Sequence, residues 1–318
     1  MIFSMLRYEI PDPQQLIEIM IYESQRIFKD RLVDKESKKR FDQILYTLLK
    51  NHLKFGERLV DTYYISKVAA GDSLIKGLPN LGRITKTDFV QLVDQQMRAY
   101  EREFKELDIH LIDEVLDLFA YVERTLSQQG GCLLLAGRAG VGRKQATQLI
   151  SHMLNAEFFS PNINRDYAMK EFKRDIKKAL EMAGVQGNKT VFYVEDHQIL
   201  RDEFLTYINS LISSGEIPGL YTPEELEPVL NQLKDEMASQ YEARTLFEFF
   251  VLRVKKNLSV VLSLDNQHPK FQQHCSQNPA LFTRCTILWS DGWSKESMTV
   301  VAKTELKEVT QHLDKTHD

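Results

Sequence analysis

The chain has few cysteines, no long apolar run and no excess of positive charge. Three cysteines among 318 residues are too few for a disulfide framework, so we expect a reducing, cytoplasmic environment. No apolar run approaches the roughly 20 residues that span a bilayer, and the first residues lack the apolar segment of a signal peptide. The net charge of -4 disfavours a general nucleic-acid binder. These absences predict a protein that acts without a membrane and without nucleic acid.

The apolar patterns that are present indicate the fold class. Hydrophobic residues make up 43% of the chain, enough for a sizeable core. Short, continuously apolar runs at 132–136, 190–194, 258–264 and 286–289 are typical of buried parallel strands, and amphipathic helical patterns separate them. Strands that alternate with helices predict an α/β fold, in which a parallel sheet lies between two layers of helices.

The first third of the chain has a different pattern. Two apolar stripes at helical spacing predict two helices, the second of them beginning after Asp34, a good N-cap residue. Residues 65–90 contain several chain-breaking residues and predict a loop-rich connection: Gly71, Gly77, Pro79 and Gly82. A helix is predicted from about Thr87 towards Leu107. These features divide the chain into a helical unit at 1–60, a connecting region at 61–105 and an α/β unit at 106–318.

The most specific motif is a glycine-rich turn between the first apolar strand and the next helix. It reads Gly137-Arg138-Ala139-Gly140-Val141-Gly142-Arg143-Lys144. Glycines let main-chain amides turn towards phosphate oxygens, and the helix that follows adds its positive amino-terminal end. We therefore predict that these eight residues bind the phosphates of ATP or ADP. The alternative is a turn that has kept its shape and lost its ligand.

Two residues of this turn depart from the usual phosphate-binding loop, G-x-x-x-x-G-K-[ST]. Arg143 stands at the lysine position, and Lys144 stands at the Ser/Thr position. A protonated lysine has no lone pair and cannot ligate Mg²⁺, so we expect magnesium to be weakly held. Two interpretations of the cation stay open. Either Arg143 reaches phosphate with a different geometry, or Lys144 takes its place.

An acidic pair follows the second apolar strand. Glu195 and Asp196 occupy the position where ATPases of this type hold Mg²⁺ and polarise the attacking water, but their order is reversed. Each carboxylate is displaced by one methylene, on the order of 1 Å, and such a displacement can cost about 100-fold in rate. We predict a weak catalytic pair and impaired hydrolysis. The alternatives are a solvated strand end, or an N-cap formed by Asp196.

Several further residues are candidates from their positions alone. Asp265 and Asn266 end the third strand, where a polar side chain can sense a γ-phosphate, although a simple turn is equally compatible. Arg284 is a candidate finger towards a neighbouring subunit's nucleotide; its alternative is an ordinary surface arginine. The histidines and cysteines match no standard zinc spacing, so no metal site is predicted. Trp289 and Trp293 are expected to be packing residues.

With these motifs the sequence resembles dynein heavy chains. The turn at 137–144 and the stretches 191–199, 204–220 (FLTYINSLISSGEIPGL) and 278–293 are similar to the fourth AAA+ module of that family. Residues 23–32 are similar to the helical lid that ends the third module. The residues of the glycine turn and the order of the acidic pair most resemble those of the dynein-2 branch.

The resemblance implies an AAA+ P-loop sandwich preceded by a helical lid. Residues 1–60 would be the lid of the preceding module, 61–105 a connecting region, and 106–318 a fourth-module-like AAA+ unit truncated at its carboxyl-terminal end. The parent would be a minus-end-directed microtubule motor for retrograde intraflagellar transport, located in the cytoplasm, the cytoskeleton and the cilium. Its partners would be the neighbouring AAA+ modules, other dynein subunits and the microtubule.

The resemblance also implies what this module does. Fourth modules of dyneins are usually regulatory nucleotide sites, so the resemblance implies that ATP or ADP is bound statically within a motor whose other modules hydrolyse ATP. Two alternatives remain: an independent AAA+ ATPase or remodeller, and a scaffold module that has lost its nucleotide.

Overall fold

The amino-terminal part of the chain is helical. The computed structural model describes residues 5–8, 12–55, 61–69, 78–238, 243–290 and 292–315. Helix α1 spans Pro13–Ile27 and helix α2 spans Lys35–Leu53. Each begins at an aspartate whose carboxylate accepts a main-chain amide, Asp12 from Gln15 and Asp34 from Ser37. Both helices that the apolar stripes predict are therefore present.

The connecting region contains a small antiparallel sheet. Strand β1 (Thr62–Ile65) pairs with β2 (Gly82–Thr85), and helix α3 (Lys86–Glu101) follows directly. The prediction of a loop-rich connection over 65–90 was wrong for β2, because four residues are too few to show a periodicity and the pairing of β2 with β1 joins distant segments. A Cβ on Gly82 would lie 2.6 Å from the Val68 carbonyl, so only glycine fits there. Gly71 and Gly77 lie outside the described residues.

The rest of the chain forms a five-stranded parallel sheet with its helices. The elements follow in this order: α4 (Asp113–Leu126), β3 (Leu133–Gly137), α5 (Arg143–Met153), β4 (Glu157–Phe159), α6 (Met169–Leu180), β5 (Thr190–Glu195), α7 (Asp202–Ser214), α8 (Pro223–Asn231), α9 (Lys234–Ala238), α10 (Leu246–Asn257), β6 (Leu258–Leu264), α11 (Phe271–Gln277), α12 (Ala280–Thr283), β7 (Thr286–Ser290) and α13 (Lys295–Lys315). The strand order is β4-β5-β6-β3-β7. The predicted α/β fold and its four strands are confirmed. Edge strand β4 was not predicted, because its three residues, one exposed and two half-buried, are too few to show an apolar run or a periodicity.

The sheet lies between two apolar cores. Alternate strand residues point to opposite faces, so Leu133 and Leu135 pack with α3, α4 and α5, whereas Leu134 packs with α6, α7, α8 and α10. Both faces of β3 and β6 are buried. Removal of this apolar surface from water, at about 25 cal/mol per Å², is the main stabilising term of such a three-layer fold.

A buried ionic cluster joins the amino-terminal part of the chain to α4. Glu23 of α1 is fully buried and accepts hydrogen bonds from Tyr8 and, at 2.6 and 2.9 Å, from the Arg124 guanidinium. Arg124 also donates to the Tyr8 hydroxyl at 2.9 Å. Arg7 is buried beside it and donates to the carbonyls of Pro79 (2.9 Å) and Arg124 (3.5 Å). We call these four residues the Arg124 cluster.

The strand order determines where a ligand can bind. Strand β6 lies between β3, which leads into the glycine turn, and β5, which ends in the acidic pair. Because all three strands are parallel, their carboxyl ends meet at one edge of the sheet, the usual ligand position in open α/β sheets. None of the helices in the described part of the chain has the length and apolar composition to cross a bilayer.

Candidate functional site

The glycine turn has the backbone conformation that its sequence predicts. Gly140 and Gly142 have φ angles of +84° and +81°, a region that residues with a side chain rarely adopt. Gly142 is the N-cap of α5. The amides of residues 139–142 donate no hydrogen bond to any described residue. Unpaired amides at a helix amino terminus form a cradle for an anion.

A cavity of about 690 Å³ opens beside this turn. Small-molecule sites occupy about 300–1,000 Å³, so a nucleotide fits. Eight of the residues predicted from sequence line it: Ala139, Gly140, Gly142, Arg143, Lys144, Glu195, Asp196 and Asp265. Five others do not: Gly137, Arg138, Val141, Asn266 and Arg284. The structure therefore brings the turn, the acidic pair and the end of β6 together around one space.

Part of the cavity wall is apolar. Ile109, Val115, Trp293 and Val301 line it, from the segment before α4, from α4, from the segment after β7 and from α13. The indole Nε1 of Trp293 is buried, and no acceptor within the described chain contacts it. Because this atom has almost no accessible surface although the cavity is open, it is the ring of Trp293, and not this donor, that borders the cavity. Trp293 thus belongs to the site and not only to the packing. Nothing in the sequence connects these four residues, because they come from separate segments.

Arg143 is turned into the protein. It is 6% exposed, and its Nη1 donates to the main-chain carbonyls of Leu135 (2.8 Å) and Leu264 (3.2 Å). Burial lowers the pKa of the guanidinium, and the charges of the surrounding groups, Tyr193 and Asp196 first among them, oppose that shift. The guanidinium therefore links β3 to β6, through Leu135 in the middle of β3 and Leu264 at the end of β6.

Lys144, the next residue, has a different environment. Its side chain is partly exposed and lines the cavity. No carboxylate or carbonyl of the described residues contacts its ammonium group. These two adjacent basic residues thus differ, although both line the cavity: Arg143 donates to the sheet, and no described group contacts the ammonium of Lys144.

The two carboxylates after β5 are already engaged. Glu195 accepts a hydrogen bond from the Tyr193 hydroxyl at 3.0 Å and lies 3.4 Å from Nδ1 of His197. Asp196 accepts the main-chain amide of Asp265. Burial raises the pKa of Asp196, and that hydrogen bond partly offsets the shift. The alternative that Asp196 is an N-cap is wrong: Glu195 is the N-cap of the short helix Asp196–Gln198, and the amide that Asp196 accepts belongs to the turn after β6.

Three predicted residues lie away from the cavity. Arg138 is exposed and, with the Gln267 amide oriented to accept, donates to it at 3.0 and 3.2 Å. Asn266 lies in the turn after β6. Arg284 is exposed at the amino end of β7, the opposite edge of the sheet, beside a separate cavity of about 320 Å³. Its role as a finger towards a neighbour stays a prediction.

The described part of the chain contains no cluster of three or more metal-ligating side chains. No group of three or more His, Cys, Asp or Glu side chains there is arranged to hold a metal ion. The rings of His268 and His274 stack at 6.1 Å, and Cys275 and Cys285 are buried free thiols.

Comparison with known sequences gives a consistent family match. The sequence model of the P-loop-containing dynein motor region D4 matches residues 107–318. The chain is 40% identical over 319 aligned residues to cytoplasmic dynein 2 heavy chain 1 of Tripneustes gratilla, covering 96% of this chain and 7% of that protein. It is 39% identical over 294 residues to the protein of that name from Homo sapiens, covering 89% of this chain and 7% of the relative.

Two further comparisons are more distant. Cytoplasmic dynein 2 heavy chain 1 of Chlamydomonas reinhardtii is 36% identical over 311 residues, again covering 7% of the relative. The chain therefore spans about 7% of the length of these curated relatives. Among solved structures, a Hsp104–ADP complex from S. cerevisiae covers 65% of this chain and 31% of its own, with 11% identity and a TM-score of 0.38. A likeness this low supports no argument about function.

Proposed function

The chain belongs to the dynein heavy-chain family, as a motor region D4 similar to that of cytoplasmic dynein 2 heavy chains, and from this premise we propose that it is a regulatory nucleotide-binding module. It binds ADP or ATP as a structural ligand and hydrolyses ATP poorly or not at all. The observation that carries the proposal is the turn at 139–142, whose unpaired amides border a cavity with room for a nucleotide.

The remaining cavity wall supports a nucleotide over a simple anion. A nucleotide has a charged phosphate end and a flat, largely apolar base. The amides of the turn and Lys144 suit the phosphates, and the four apolar residues of the wall, Trp293 among them, suit the base. A sulfate or phosphate ion would leave that apolar wall without a ligand.

The acidic pair supports weak hydrolysis. A catalytic carboxylate must be available to orient the attacking water. Glu195 is bound by Tyr193 and faces His197, while Asp196 is bound to the backbone of Asp265. One oxygen of each carboxylate is therefore held by the protein, which restricts how the pair can orient an attacking water.

For the whole protein the proposal follows the family. The parent is a microtubule motor of the dynein-2 type that serves retrograde intraflagellar transport in cytoplasm, cytoskeleton and cilium. This module transmits the state of its nucleotide to neighbouring AAA+ modules of the same heavy chain. Residues 1–60 act as the lid of the preceding module, 61–105 as a connection, and 106–318 as the fourth-module-like unit. The exposure of Arg284, at the edge of the sheet opposite the cavity, supports a contact with such a neighbour.

Binding and turnover test the proposal together. We expect saturable binding of ADP by calorimetric titration of the 318-residue chain, and no phosphate release above the buffer rate when ATP is added. Magnesium-stimulated turnover would instead favour an independent ATPase or remodeller. A titration without saturation would favour a scaffold module that has lost its nucleotide.

The two tryptophans provide a matched pair of reporters. Trp293 lines the cavity, whereas Trp289 lies in β7 with its ring 5.9 Å from that of Phe271. We expect ADP to change the tryptophan emission of the chain. The Trp293→Phe variant should lose this change, and Trp289→Phe should retain it. Equal responses from the two variants would place the nucleotide elsewhere.

A further inference from the structure

The residues beside the glycine turn do not fit a magnesium ion. In phosphate-binding loops of this kind a Ser/Thr hydroxyl and a strand-end carboxylate hold the metal. Here Lys144 replaces the hydroxyl and offers no lone pair. The carboxylate of Glu195 is bound by Tyr193, and that of Asp196 accepts the Asp265 amide. The cavity therefore lacks the hydroxyl ligand of such sites, and one oxygen of each strand-end carboxylate is already held by a hydrogen bond from the protein.

The phosphates of a nucleotide still require positive charge. ADP carries several negative charges, and the carboxylates of Glu195, Asp196 and Asp265 line the same cavity. Without a compensating cation these charges repel each other across a space partly shielded from water. Bound nucleotide thus needs a cation that the protein itself supplies.

The turn has three basic residues, of which Arg143 and Lys144 line the cavity and Arg138 does not. Of the two that line it, Lys144 is the one without a hydrogen bond to the described protein. Arg143 is 6% exposed, and its Nη1 is engaged by the carbonyls of Leu135 and Leu264. Release of the guanidinium would take a charged donor from two strand carbonyls, at a cost of about 1–3 kcal/mol for each hydrogen bond lost. Lys144 has no such bond and faces the cavity, with three donors on a flexible stem.

We propose that Lys144 supplies the charge that magnesium supplies in related sites, and that this module binds nucleotide without a divalent cation. The inference rests on the proposed nucleotide-binding function. Arg143, at the position of the usual phosphate-binding lysine, is a structural cation of the sheet edge. The two positions have thus exchanged roles. Arg143 and Lys144 are consecutive residues of α5, and the cation without a hydrogen bond to the protein is the second of them.

Calorimetric titration of the full chain with ADP, in excess magnesium and again in EDTA, tests the proposal. We expect the two dissociation constants to agree within about threefold. The Lys144→Met variant should bind ADP about 10- to 100-fold more weakly in both buffers, the size of a lost charge-assisted hydrogen bond. The control is Lys170→Met: Lys170 is exposed and is the second residue of α6, as Lys144 is the second residue of α5. It should bind like the parent chain.

The outcomes separate the inference from the function on which it rests. ADP binding that disappears in EDTA and returns with magnesium overturns the inference and leaves the nucleotide site intact. A folded Lys144→Met variant that binds ADP like the parent chain also overturns it. Absence of ADP binding in both buffers overturns the proposed function itself. The comparison of the two buffers needs no variant, so it does not depend on the folding of a mutant.

Discussion

Replacement of Arg143 by methionine is expected to lower the free energy of unfolding of the nucleotide-free chain by about 2–4 kcal/mol. Methionine fills similar space but donates no hydrogen bond. The carbonyls of Leu135 and Leu264 would lose a charged donor, and the nearby carboxylates would lose a compensating cation. Urea unfolding followed by circular dichroism measures the change.

The adjacent lysine is the control for this experiment. Lys144→Met removes the same charge one residue later, from a side chain that contacts no acceptor in the described structure. Its free energy of unfolding should change by less than about 0.5 kcal/mol, as for other surface substitutions. Equal stability of the two variants would show that Arg143 is not a structural cation. Variants of Arg143 and Lys144 would thus separate an effect on stability from an effect on ligand binding.

The second large effect is expected at the Arg124 cluster. Arg124→Met would leave Glu23, which is 0% exposed, without its cationic partner. Loss of one partner of a buried ion pair costs about 3–5 kcal/mol, because the remaining charge is neither solvated nor paired. Since Glu23 lies in α1 and Arg124 in α4, hydrogen exchange of the α1 amides should accelerate by about 100-fold or more.

A double replacement and a surface pair complete the design. When Glu23 and Arg124 are both replaced by methionine, neither charge of this ion pair stays buried, and the loss should be smaller than for Arg124→Met alone. Arg98 forms an i,i+4 pair with Asp94 at 3.0 Å, and both side chains are largely exposed. Arg98→Met should cost under about 0.5 kcal/mol. Exchange in α1 that is unchanged in Arg124→Met would show that the cluster does not hold α1 in place.

The sequence predicted the sheet well because the relevant signals are local. Buried parallel strands need continuous apolar runs, and the runs at 133–136, 190–194, 258–264 and 286–289 all lie in strands. The three residues of β4 and the four of β1 give no such signal. Their strand conformation depends on pairing with partners elsewhere in the chain.

The candidate site was predicted in part for the same reason. The glycine turn and the acidic pair are local motifs, and both line the cavity. Trp293 and Ile109 also line it, but they reach it from segments at opposite ends of the α/β unit. No spacing rule relates such residues. The sequence therefore predicted only a packing role for Trp293 and made no prediction for Ile109.

By itself the sequence determined the family, the α/β class, the glycine turn and the missing hydroxyl beside it, because each of these is set by residue types at short spacing. Only the tertiary structure decided which of Arg143 and Lys144 donates hydrogen bonds to the sheet and which does not. The Arg143 guanidinium reaches a carbonyl 121 residues away, at the end of β6, and does so because β6 lies between β3 and β5. Strand order is a property of the folded chain, so the direction of that side chain could not be predicted from neighbours in sequence.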